Sequence, residues 1–114
     1  MRRDPRAFLW DALAAAEAIQ TFVQGHDGQG YATDELLHSA VERKFEIIGE
    51  ALGQLSKVDG ALAARVPRLA QIVAFRNVLI HGYAAVTHDT VWTVVQDALP
   101  ELVATLRRML EDLA

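Results

Sequence analysis

Residues 74–83 read AFRNVLIHGY, and both the fold and the chemistry turn on this stretch. Leu69, Ile72, Val73, Arg76, Ile80 and Tyr83 recur at the spacing of one helical face. Pro67 suits the first turn of that helix, and Gly82 suits its end. Arg76 is the intruder on an otherwise apolar stripe. A guanidinium cannot shed its charge, so it snorkels, pairs with a carboxylate such as Glu50, or lines a groove that receives an anion.

Outward from this helix the chain is helical again. Asp4-Pro5 supplies an N-cap and a first-turn proline, after which Phe8, Leu9, Ala12, Leu13, Ala16, Ile19 and Phe22-Val23 mark one face as far as about Val23. QGHDGQGYAT, residues 24–33, has three glycines and no periodicity and reads as a loop. Asp34 and Glu35 suit the positive end of a helix dipole, and Leu37, Val41, Phe45, Ile48, Leu52 and Leu55 stripe a long second helix. Within it, Gly49 and Gly53 leave a flat spot where another backbone can approach. VDGALAARVPR is a break with room for one short helical turn. A last helical stretch begins near Asp89, and Pro100 is expected to kink it. The prediction is an all-α, antiparallel four-helix bundle with a kinked C-terminal helix, one domain over residues 1–114.

Composition agrees. Of 114 residues, 52% are hydrophobic and 23% charged, the balance of a folded domain. With no Cys, disulfide frames and thiolate metal sites are excluded, and a cytoplasmic location is expected. Nothing resembles a membrane span or signal segment. A net charge of −4 argues against a broad basic surface for nucleic acid. From Val41 to Tyr83, however, Arg43, Lys44, Lys57, Arg65, Arg68 and Arg76 outnumber Glu42, Glu46, Glu50 and Asp59, so a locally basic groove is expected.

Arg76 and His81 can carry chemistry together. Arg76 can hold the non-bridging oxygens of a phosphodiester, and His81 can move a proton near neutrality. Asn77 has an amide to orient His81 or touch substrate. Five residues apart on one helix, Arg76 and His81 are separated by about 140° and share no straight face. Either Gly82 unwinds the last turn so that His81 turns back, or the two groups meet across a two-fold axis.

RNVLIHGY resembles the Arg-Asn-x-x-x-His-x-Tyr signature of HEPN domains, in particular the HepT-like toxin branch. VERKFEIIGEALGQLS, RDPRAFLWDALAAAEAI and TVWTVVQDALPELVATL extend the similarity over most of the chain, in the right order. The resemblance implies a dimerising all-α bundle and metal-independent RNA cleavage with Arg76 and His81 as the catalytic pair. It also implies a cognate nucleotidyltransferase antitoxin of the MntA type that adds AMP to the motif tyrosine, here Tyr83. Gly82 departs from the larger or polar residues also found between His and Tyr in relatives. The expected partners are thus RNA, a second copy of the chain and the antitoxin, with no cofactor and no metal. The competing reading is a non-catalytic helical dimer that serves as a binding partner of a nucleotidyltransferase.

The remaining candidates receive blander readings. His26 reads as solvated, and His38 and His88 have no partner at metal-ligand spacing in the sequence. Glu46 and Glu50 read as surface pairing partners, with Glu50 the better groove residue. Trp10 and Trp92 are expected in the core.

Overall fold

A computed structural model describes residues 3–82 and 86–114. The helices are α1 (Pro5–Phe22), α2 (Gly28–Thr33), α3 (Glu35–Val58), α4 (Gly60–Ala63), α5 (Leu69–His81), α6 (His88–Asp97) and α7 (Leu99–Leu113). The four expected helices are α1, α3, α5 and the α6–α7 pair. α1 packs against α3 and α7, while α5 makes its main contact with α3.

The core follows the predicted stripes of α1 and α3. Leu9, Ala12, Ala16 and Ile19 of α1 join Val41, Ile48, Leu52 and Leu55 of α3, and Val103 and Leu106 of α7 complete the cluster. Ion pairs Arg107–Glu17 and Arg65–Asp112 tie α7 to α1 and to the segment after α4. Both are exposed and contribute at most about 1 kcal/mol each. Asp4 caps α1 as expected, accepting from the Arg6 N–H at 2.9 Å. The Arg6 side chain and then that backbone N–H hold its carboxyl down to about 2.

Four local readings change. Residues 28–33 are a short helix, not a loop: Asp27 Oδ1 accepts from the Gly30 N–H at 2.7 Å, and Tyr31 is fully buried. One buried ring anchors a turn too short to show periodicity. Pro67 stands outside α5, because Arg68 takes the left-handed conformation at φ 60° and the helix starts at Leu69. Trp10 is 59% exposed. It lies one residue past the buried Leu9, which rotates it about 100° off the stripe. On α5 only Leu79 is fully buried, while Ile72, Val73, Arg76 and Ile80 are half-buried.

The expected bend at Pro100 takes the form of a junction. α6 ends at Asp97 and α7 restarts with Pro100 in its first turn, where a missing N–H costs no helical bond.

Candidate active site

The site begins with a missing side chain. A Cβ on Gly49 would lie 2.2 Å from Arg76 Cβ and 2.7 Å from its Cγ, so the base of the arginine lies directly on the α3 backbone. Gly53, one turn on, faces Val73 Cγ2 at 3.8 Å. The flat spot therefore receives the chain's own α5. It is the close backbone approach expected at Gly49 and Gly53.

Arg76 is tolerated in the stripe because its stem packs over Gly49 and its head is paired. Nη2 donates to Glu50 Oε2 at 2.8 Å and Nη1 to Asn77 Oδ1 at 2.9 Å. Its Nε is buried with no hydrogen-bond partner among the described residues. Asn77 thus orients Arg76 in this chain, and the carboxylate-pairing option holds.

Arg76 opens on a groove of about 460 Å³ whose charged lining is Arg3, Asp11, Arg43, Glu46, Glu50 and Arg76, with Ile47 and Ile80 among its apolar residues. Each arginine has an acid: Arg3–Asp11 at 2.9 Å, Arg43–Glu46 at 3.9 Å and Arg76–Glu50 at 2.8 Å. The expected basic groove is instead charge-balanced. The sequence count included Arg65, which pairs with Asp112, and Arg68, which lines a different cavity, while Asp11 enters from α1.

His81 is the last residue of α5 and is exposed. The Gly82 N–H still bonds Val78 O at 2.7 Å, so α5 has no unwound turn before its cap and the separation of about 140° from Arg76 stands. His81 shares an exposed outer face with Ala70, Ala74, Asn77 and Val78, away from α3. Tyr83, the expected modification site, lies outside the described residues. A second cavity of about 240 Å³ is walled mostly by apolar groups, including Phe45, Ile72, Phe75 and Leu102. Neither Arg76 nor His81 lines it.

A separate polar cluster was missed. His38 and Glu42 sit one turn apart on α3, and His88 opens α6; their ligand atoms all lie within 4.8 Å of one another. The two imidazoles stack at 3.9 Å between centroids, and the Tyr31 ring meets both edge-on at 6.1 Å. Burial, and then the Glu42 carboxylate, push the Tyr31 phenol well above its ordinary range. The pairing of His38 with Glu42 at i and i+4 was legible, but His88 is distant in sequence and no local spacing announces it.

A family model described as Ribonuclease HepT-like matches residues 12–109. A candidate RNase of Methanocaldococcus jannaschii is 30% identical over 112 residues, covering 98% of this chain and 96% of that one. A candidate RNase of Caldanaerobacter subterraneus subsp. tengcongensis is 30% identical over 109 residues, 96% of each. The protein of Thermococcus cleftensis named probable ribonuclease HepT is 29% identical over 102 residues, 90% of this chain and 92% of its own. No solved structure matches significantly. With a match spanning most of the helices and the whole α5 segment, the chain belongs to the HepT-like ribonuclease family.

Proposed function

We propose that this chain is the toxin of a type VII-like toxin–antitoxin pair: a homodimeric endoribonuclease that cleaves RNA without a metal ion and is silenced by AMP transfer to Tyr83. What carries the reading is the placement of Arg76 and His81 on one helix that stays regular to its end, with Arg76 at the groove and His81 on the outer face. A two-fold pairing of α5 then brings Arg76 of one protomer to His81 of the other. His81 takes the proton of a ribose 2′-hydroxyl, whose oxygen attacks phosphorus to form a 2′,3′-cyclic phosphate, and the 5′-oxygen leaves with the P–O bonding pair and takes up a proton from water. Arg76 turns from Glu50 to the phosphate oxygens and stabilises the charge that builds on them. Names of relatives as RNases support the substrate class. No helix among the described residues is long and apolar enough to cross a membrane.

The dimer contact is the edge of α5 between the groove and the outer face, where Asn77 and the half-buried Ile80 lie between Arg76 and His81 around the helix. Sedimentation at micromolar concentration should show a dimer, and Ile80→Glu should give a monomer with cleavage reduced at least about tenfold. A monomeric, fully active wild type would exclude this arrangement.

Tyr83 follows His81 by two residues, past the helix-ending Gly82. Transfer of AMP forms a phosphodiester to the phenol oxygen and releases pyrophosphate from a nucleoside triphosphate. The new phosphate then competes with RNA for Arg76, and its base fills the groove. Co-expression with a cognate nucleotidyltransferase should add one or more AMP masses to wild type and none to Tyr83→Phe, which stays active. An increment that persists in Tyr83→Phe would move the modification elsewhere.

The closure of Arg76 on Glu50 and Asn77 within one chain favours the second reading, a non-catalytic dimer that presents this helix end to a nucleotidyltransferase. A dimeric wild type that binds that enzyme and cleaves no RNA would select it.

A further inference from the structure

We propose that His38, Glu42 and His88 form a site for one divalent transition ion, with zinc the best fit, which ties the start of α3 to the start of α6. Two imidazoles and one carboxylate with no thiolate suit zinc, whereas calcium and magnesium prefer oxygen ligands throughout. The ligand atoms lie within 4.8 Å of one another. A tetrahedral ion with bonds near 2.1 Å needs them about 3.4 Å apart, a change that side-chain rotation supplies without moving either helix. His38 and Glu42 are half-buried, with side chains 16% and 27% exposed, so an ion can reach them from solvent and still be shielded once held.

Two polar atoms of the cluster are left without hydrogen bonds among the described residues. His38 Nδ1 is buried and has no hydrogen-bond partner among the described residues; the Glu42 carboxylate, at 3.7 Å, is too far for one. The hydroxyl of the fully buried Tyr31 likewise lacks a partner among them. A bound ion gives the His38 lone pair an acceptor and draws Glu42 into a fixed orientation. Tyr31 then serves as the outer partner, donating its O–H to the carboxylate oxygen that the ion leaves free.

The position suggests a structural role. His88 is the first residue of α6, and only residues 82–87 separate it from His81. An ion here fastens the far end of the connection that leaves the candidate catalytic helix. It takes no part in the groove, which is built from other residues.

The test uses the full-length chain, stripped with chelator and titrated with zinc chloride by calorimetry. One ion should bind per chain, and saturation at about one hundred times the dissociation constant should raise the melting temperature by roughly 10 °C. His88→Ala and Glu42→Gln should each weaken binding at least about a hundredfold, and Tyr31→Phe about tenfold, while His26→Ala changes nothing. In the unmodified protein, zinc should shift the imidazole NMR signals of His38 and His88 and spare His26 and His81, a readout that needs no variant to fold. No saturable binding, unchanged affinity in folded His88→Ala and Glu42→Gln, or shifts centred on His26 or His81 would overturn the site. Chelation should lower the melting temperature without removing cleavage, so this inference and the ribonuclease reading fail separately.

Discussion

His81→Ala and Arg76→Ala should each lower RNA cleavage by at least about a hundredfold while leaving helicity intact, because in the proposed mechanism one removes the proton-transfer group and the other the charge opposite the phosphate. The Arg76–Glu50 pair is part-exposed, its two side chains 28% and 54% accessible, so its loss alone removes little stability. A chelator should not inhibit the wild type. The two variants also report on where the site is assembled. If Arg76 and His81 come from different protomers, a mixed dimer of the two variants contains one site with both groups and one with neither. Mixing two inactive preparations, after exchange of protomers, should therefore restore cleavage. If both groups act within one chain, no mixture recovers. Arg76→Ala that unfolds the protein, with no cleavage by folded wild type, would leave the arginine a purely structural ion-pair residue.

The helices were legible because their apolar residues recur at helical spacing, and the long stripes of α1 and α3 are buried where that spacing put them. What was hidden depends on partners far along the chain. Tyr31 gives its segment a helical turn only because α6 and α3 enclose its ring. The groove's charge depends on Asp11 and Arg3, which no reading confined to residues 41–83 includes. Likewise His88 meets His38 only once α6 packs against α2 beside the start of α3. The Arg76–Glu50 pairing is one of the three readings that an arginine in an apolar stripe allows; Asn77, expected to orient His81 or touch substrate, accepts from Arg76.

Gly49→Ala should destabilise the protein although alanine is the better helix former. The propensity gain is about 1 kcal/mol, and it is opposed by a methyl group placed 2.2 Å from Arg76 Cβ. That atom is fixed to the α5 backbone and cannot swing aside as the tip of a long side chain would. Relief requires α5 to move off α3, and overpacking of this kind costs about 1–3 kcal/mol or more. The melting temperature should fall by roughly 5–10 °C. Cleavage should fall with it, since Arg76 is carried away from Glu50 and Asn77 although no functional group has been removed. Gly53→Ala is the matched control. Its new methyl would meet Val73 Cγ2 at 3.8 Å, an ordinary contact, so the helix propensity gain should appear as a small stabilisation. Arg76→Ala should not rescue Gly49→Ala, because alanine keeps the obstructing Cβ. Arg76→Gly should restore part of the lost stability, leaving Ile72 O at 3.4 Å as the nearest neighbour of the new methyl. Equal melting temperatures for Gly49→Ala and Gly53→Ala would mean that the close approach of α3 and α5 does not fix the position of the arginine.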